Sequence, residues 1–188
     1  MQFSLFGAAA AEASLDDVDG VLLGGGQWVR SPSGARLSVV VTDPWRAAAL
    51  ASAFVERGIA DQQGTRDAEF GYSVRTDFSA ELLDRAARWV RGANQGPPPG
   101  FVLTPGGLRL WAITAGRAEA AGYLLATVSP DDALHQAAGA QLARLGLAAV
   151  SLGIRGGPGW RISSTKRLRR LAELLGEPPD GAGLDWPS

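Results

Sequence analysis

The chain has no cysteine and only one histidine, His135, among its 188 residues. Without cysteine it forms neither disulfides nor thiolate metal sites, and a single imidazole does not assemble a metal cluster. No apolar run reaches the roughly 18 residues of a transmembrane helix. Residues 1–11 lack the basic stretch that precedes the apolar core of a signal peptide, so we expect a cytoplasmic protein.

The chain also lacks an excess of charge of either sign. The formal net charge is −1, and Lys166 is the only lysine among 18 basic residues. No overall field therefore draws the protein to nucleic acid or to a membrane surface, and we expect no membrane partner. No Ser–His–Asp set, paired carboxylates or phosphate loop stands out, so we expect no catalytic residues, no metal and no cofactor.

The first residues form a distinctive peptide, Gln2-Phe3-Ser4-Leu5-Phe6. It resembles the short motif by which bacterial replication and repair proteins bind the DNA sliding clamp, although Phe3 stands where leucine is usual. The resemblance implies that Leu5 and Phe6 fill a preformed pocket while the Gln2 amide sets the register. The alternative is that Phe3, Leu5 and Phe6 simply pack on the body of the protein.

The body of the chain alternates helical and strand patterns. Ser14 is a predicted N-cap, followed by an apolar helical stripe that ends at Gly24. A hairpin then turns at residues 31–34, a second helix begins at Pro44, and residues 61–69 indicate a loose strand and turn. A strand over Phe70–Asp77 and a helix capped by Ser79 complete this half of the chain.

Several segments recur 88 positions later, which predicts a tandem duplication of a helix–hairpin–helix–hairpin–helix unit. We expect a peptide and spacer over 1–12, a first repeat over 13–94, a linker over 95–100, a second repeat over 101–176 and a loose tail over 177–188. The recurring pairs are Gly71-Tyr72-Ser73-Val74 with Gly159-Trp160-Arg161-Ile162, Gly58-Ile59 with Gly146-Leu147, Leu83 with Leu171, and Gly34 with Gly122.

Three local patterns remain ambiguous. Thr104 begins either a hairpin turn or a helix over Leu108–Ala115, and the repeat favours the helix. His135 is expected on a helix surface. Leu184 and Trp186 near the C-terminus are either a second short linear motif or residues that pack back on the body.

The duplicated unit resembles the LAGLIDADG homing-endonuclease-like proteins, with the name-giving segment at residues 18–26 and 108–116. The resemblance implies an α+β fold with a pseudo-twofold axis, antiparallel sheets and helices on one face of them. In that family each central helix ends with a metal-binding Asp, and small residues let the two helices approach. Gly25 and Ala115 occupy the Asp positions here and offer no oxygen ligand, so we expect no nuclease activity.

Strand alternation predicts a polar, partly basic sheet face that carries Arg36, Arg75 and Arg161, a surface that the family lays on duplex DNA. The last helix begins with Lys166 and Arg167, although cations in a first turn oppose the helix dipole. We therefore predict these five residues as DNA-binding. The alternatives are a merely solvated sheet face and ion pairing within the last helix.

Two functions are consistent with these patterns. The first is a monomeric, non-catalytic adaptor of DNA replication or repair, bound to the sliding clamp through Gln2–Phe6 and thereby associated with the nucleoid. The alternative is a DNA-binding regulator that uses the sheet face without binding the clamp.

Overall fold

The computed structural model describes residues 12–92, 94–129 and 133–187. The peptide Gln2–Phe6 lies outside these residues. The first half contains α1 (Asp19–Leu23), β1 (Gln27–Ser31), β2 (Gly34–Val41), α2 (Pro44–Glu56), β3 (Arg66–Ala68), β4 (Gly71–Arg75), α3 (Leu83–Trp89) and the short pair β5 (Val90–Arg91) and β6 (Asn94–Gln95). The second contains α4 (Pro105–Ala115), β7 (Gly116–Glu119), β8 (Gly122–Ala126), α5 (Ala133–Arg144), β9 (Val150–Leu152), β10 (Gly159–Ile162) and α6 (Thr165–Leu175).

The strands form two antiparallel four-stranded sheets with matching topology. The first has the order β1-β2-β4-β3 and the second the order β7-β8-β10-β9. Helices pack on one face of each sheet, where Leu37, Val39, Leu125 and Ile162 are buried. The α+β, two-repeat layout predicted from the sequence is confirmed. No helix in the described part of the chain is long and apolar enough to cross a membrane.

The helix starts follow the capping residues. Ser14 and Asp17 form a capping box at the start of a 3-10 turn over Leu15–Val18, and this turn leads directly into α1. The Thr104 side chain accepts a hydrogen bond from Gly107 N at 2.8 Å, and Pro105 is the first residue of α4. Residues 105–115 are therefore a helix and not one arm of a hairpin.

The two helices at the centre, α1 and α4, approach closely because they carry glycine where they meet. A Cβ on Gly20 would lie 1.8 Å from Gly107 O, and one on Gly24 would lie 2.7 Å from Thr114 Cγ2. The small residues thus allow backbone-to-backbone packing between the repeats, and Val21, Leu22, Leu110 and Trp111 complete the core around them.

The repeats differ at their second hairpins. Tyr72 pairs with Val41 in the first sheet, but Trp160 pairs with Leu125, whereas an unchanged repeat would place it opposite Ser129. The turn before β4 is Glu69 and Phe70, whereas the turn before β10 spans residues 153–158 and contains a 3-10 segment. The longer turn accompanies a slide of four residues between the hairpins of the second sheet.

The segments at the ends of the repeats are held in place. Gln95, at the start of the predicted linker, accepts a hydrogen bond from Trp28 N and donates one to Gly26 O, both at 2.9 Å. Trp186 is buried, and its indole N–H donates to Gly176 O at 3.0 Å. The tail that the sequence indicates as loose is therefore packed on the body at Ala182 and Trp186.

The expectation that His135 lies on a helix surface is also wrong, because α5 turns this residue toward the sheet. His135 is 2 % exposed, and its two ring nitrogens lie 2.9 Å from Thr127 Oγ1 and 2.8 Å from Ser151 Oγ. Its ring stacks on Trp160 at a centroid distance of 4.8 Å. Two hydroxyl partners satisfy the buried imidazole, which makes it a structural residue of the second repeat.

Candidate nucleic-acid interface

The first sheet presents one face away from the helices. Strand alternation places Arg36 and Ser38 of β2 and Ser73 and Arg75 of β4 on this open face, while their neighbours point into the core. Pairing with Ser73 adds Arg66 of β3 to the same face. The described strand residues of this face include no carboxylate: they are Gln27, Val29, Ser31, Arg36, Ser38, Val40, Arg66, Ala68, Ser73 and Arg75.

Arg36, Arg75 and Arg66 form a diagonal line across β2, β4 and β3, which we name the arginine stripe. Consecutive members are diagonal neighbours, whose Cα atoms lie about 7–8 Å apart in antiparallel strands. None of the three has a carboxylate within salt-bridge distance among the described residues. Arg36 lies over the ring of the half-exposed Phe78 at 4.6 Å.

Arg36 and Arg75 are partly buried, and the Nε of each is a buried atom without a hydrogen-bond acceptor in the described part of the chain. Neighbouring like charges that are partly removed from water raise the free energy of the folded protein unless an anion compensates them. The arginine stripe is therefore suited to a ligand that carries regularly spaced negative charge.

The open face of the second sheet differs, because its cations are already paired. Arg161 of β10 donates from Nε and Nη2 to Glu119 Oε2 at 3.0 and 2.8 Å. Arg117 of β7 donates from Nε to Glu119 Oε1 at 3.2 Å. Leu124 of β8, which pairs with both arginines in the sheet register, is completely buried. The structure thus separates Arg161 from the other predicted strand arginines and neutralises it.

Lys166 and Arg167 are exposed at the start of α6, whose apolar residues pack in the helix layer with α4. They do not adjoin the arginine stripe, which lies on the opposite side of the other sheet. The predicted pairing within this helix is observed for Arg170, whose Nη1 lies 3.6 Å from Glu173 Oε2.

The ends of α1 and α4, where the resemblance seen in the sequence implies a metal-binding Asp, carry no side chain there that could bind a metal ion. Gly25 follows α1 with φ +107°, and a side chain there would meet Val128, while Ala115 is the last residue of α4. The Asp19 carboxylate has partners of its own: it accepts hydrogen bonds from Arg85 and from the indole of Trp89, each at 3.0 Å. Burial raises the pKa of Asp19 even though Arg85 opposes this shift. Among described residues, no three His, Cys, Asp or Glu side chains cluster closely enough to hold a metal ion.

A cleft of about 480 Å³ opens between α2, α4 and residues 179–180. Small residues of α2 line it, and Asp17 and Arg57 lie at one side. Their charges are already satisfied, because Arg57 Nη2 donates to Asp17 Oδ2 at 2.7 Å and Thr104 donates to Asp17 Oδ1 at 2.7 Å. This buried network joins the first repeat to the start of α4 and stabilises the fold.

Sequence reasoning missed two residues of these faces. Arg66 lies in a segment that we interpret from sequence as a loose strand. Strand alternation, with Arg66 paired to Ser73, would have placed it on the open face. Glu119 carried a different signal: the 88-position offset aligns it with Ser31, so a carboxylate replaces a hydroxyl at equivalent hairpin positions.

No family model and no curated protein matches this sequence. Solved structures do match the fold. The homing endonuclease I-WcaI bound to its DNA recognition sequence superimposes with a TM-score of 0.60 at 12 % identity, over 85 % of this chain and 80 % of that chain. I-DmoI in complex with DNA and Mn matches with a TM-score of 0.50 at 14 % identity, over 87 % of this chain and 98 % of that chain. With its two repeated units, paired central helices and two antiparallel sheets, this chain has the fold of the LAGLIDADG homing endonucleases.

Proposed function

We propose that this protein binds duplex DNA through the open face of its first sheet and does not cut it. The observation that carries the proposal is the arginine stripe: three neighbouring cations without a carboxylate within salt-bridge distance in the described chain, on a face whose described strand residues carry no carboxylate. Phosphates are anions of the required kind, and the similarity to endonucleases solved with DNA supports this choice of ligand.

Salt-dependent binding tests the proposal. Each phosphate neutralised changes the slope of log K against log salt by about 0.9, so three arginines predict a slope of about −2.7. In fluorescence anisotropy with a labelled duplex, R36A/R75A should flatten the slope by about 1.8. Arg144→Ala, which removes an exposed cation from the last turn of α5, is the matched control and should not change it. Equal effects of both variants, or no binding at low salt, would refute a role for the stripe.

The absence of cleavage is proposed from the side chains at the helix ends. A divalent cation needs oxygen ligands, and Gly25 and Ala115 supply none from their side chains. Supercoiled plasmid incubated with homogeneous protein and Mg²⁺ or Mn²⁺ should remain intact. Metal-dependent nicking that co-purifies with the protein, and that disappears in the R36A/R75A variant, would show that the protein is a nuclease.

A second function is supported by the peptide Gln2–Phe6, which lies outside the described residues. We propose that it binds a bacterial sliding clamp and so recruits the protein to replication or repair sites, because its Gln, Ser, Leu and Phe follow the clamp-binding pattern. Calorimetry with purified clamp should show loss of binding for L5A/F6A. Phe3→Leu, which restores the usual residue, should bind at least as tightly as the wild type. Unchanged affinity of L5A/F6A would rule out this mode of recruitment.

A further inference from the structure

The two open faces carry different residues at equivalent positions. The hairpins β1–β2 and β7–β8 keep the same register, which makes Ser31 equivalent to Glu119, and Arg36 equivalent to Leu124. The first face therefore has a cation at its centre and a hydroxyl at its edge. The second has a buried leucine at its centre and a carboxylate at its edge.

Glu119 is placed to bind both arginines of the second face at once. Its Oε2 accepts from two nitrogens of Arg161, and its Oε1 accepts from Arg117. The side chains of Glu119 and Arg161 are 20 % and 29 % exposed, so water screens this pair less than a fully exposed one. Burial raises the pKa of Glu119, but the hydrogen bonds from Arg161 and Arg117 outweigh it and lower the pKa overall.

The long turn before β10 adds to this restraint. A Cβ on Gly157 would lie 3.6 Å from Arg117 Nη2, so the turn passes directly beside the Arg117 guanidinium. Leu124 has no exposed surface although it points away from the main core. The second face thus has its arginines paired and its central residue buried, whereas the first sheet has only the short turn of Glu69 and Phe70 at this position.

We propose that Glu119 confines duplex binding to the first sheet by holding Arg117 and Arg161, so that the protein contacts one side of its DNA site. This inference rests on the proposed duplex binding. It assigns Glu119 as the residue that limits the number of phosphate contacts, and it makes Arg161 unavailable to DNA in the wild-type protein.

Replacement of the carboxylate tests the inference as a gain of function. Glu119→Gln keeps the shape of the side chain but frees two cations, so the salt slope should steepen by up to about 1.8 units. Glu173→Gln is the matched control, because it makes the same change in net charge and frees Arg170 on the helix layer. Its slope should equal that of the wild type. A steeper slope for E119Q alone, with a hydroxyl-radical footprint extended on one side, is the expected result.

A loss-of-function pair tests the same inference without altering Glu119. Arg161→Ala should leave the wild-type slope unchanged, whereas Arg75→Ala should flatten it by about 0.9. The inference is overturned if R161A and R75A weaken binding equally, or if folded E119Q, checked by circular dichroism, keeps the wild-type slope. Either outcome leaves binding by the first sheet intact, whereas the proposed function itself fails if wild-type protein does not bind duplex at low salt or if R36A/R75A has no greater effect than Arg144→Ala.

Discussion

Arg46 shows how much one side chain contributes to the junction between the repeats. Its side chain is 7 % exposed, and its guanidinium donates to Ile113 O at 2.9 Å, to Gly116 O at 2.7 Å and to Ala112 O at 3.3 Å. Asp43 balances its charge at 2.9 Å. A cation at the C-terminal end of α4 complements the helix dipole and satisfies carbonyls that have no partner within the helix.

Truncation of this side chain should be costly. Arg46→Ala would leave buried carbonyls without donors, and we expect the free energy of unfolding to fall by about 3 kcal/mol. Urea denaturation followed by circular dichroism measures the loss. Arg144→Ala, at an exposed arginine, should change it by less than about 0.5 kcal/mol. Similar losses for the two variants would contradict a structural role for Arg46.

The ion pairs of Glu119 predict a pH dependence of stability. Because the pKa of Glu119 is lowered in the folded protein, its contribution is fully present above the ordinary value of 4.5 and is lost as the pH falls through the lowered pKa. The difference in unfolding free energy between wild type and E119Q should therefore be largest near neutral pH and shrink in acid. Denaturation curves at several pH values measure it, and a difference that grows toward low pH would have the wrong sign.

At the scale of elements, the contact between α1 and α4 depends on glycine. No side chain fits at Gly20, since its Cβ would overlap Gly107 O. Gly20→Ala should force the two helices apart and lower the unfolding free energy by about 3 kcal/mol.

The control for Gly20→Ala is Gly153→Ala, in the turn before β10. Gly153 has φ −86°, and nothing lies within 4 Å of a Cβ built there. We expect its stability to stay within about 0.5 kcal/mol of the wild type. Thermal or urea unfolding compares the two variants, and equal stabilities would show that the helices separate without cost.

At the scale of the whole molecule, the C-terminal residues close the helix layer. Trp186 is 6 % exposed and lies 5.1 Å from the Arg109 guanidinium, whereas Leu184 is 94 % exposed. Of the two alternatives for this segment, the structure places Trp186 against the body and leaves Leu184 outside.

This difference yields a paired prediction. Trp186→Ala should lower the unfolding free energy by about 3 kcal/mol, because it removes a buried ring and leaves Gly176 O without its indole donor. Leu184→Ala should have an effect below about 0.5 kcal/mol. Equal effects in urea denaturation would mean that residues 177–187 do not stabilise the fold as a packed segment.

The two repeats also differ in the charge pattern of their open faces. They share helix order, sheet topology and the register of the first hairpin, yet only the first sheet has unpaired arginines on its described open face. Duplication of a scaffold therefore did not duplicate its charge pattern. A net charge of −1 conceals this local asymmetry.

Local chemistry in the chain was sufficient to define the elements and their order. Capping at Ser14 and Thr104, proline at the starts of α2 and α4, and strand alternation depend on residues close in sequence, and these led to the two-repeat fold. The recurrence at 88 positions extended this local information to the whole chain. Strand alternation placed Arg36 and Arg75 on the open face, because successive side chains in a strand point to opposite faces of the sheet.

Only the tertiary structure decided which of these side chains are already engaged. The carbonyl partners of Arg46, the carboxylate partner of Arg161 and the hydroxyl partners of His135 are separated from them by between 8 and 70 positions, and no spacing rule identifies such contacts. Whether an arginine is free to bind phosphate depends on the distance to a carboxylate on another strand. The sequence shows where the cations of this protein lie, and its folding determines which of them remain unpaired.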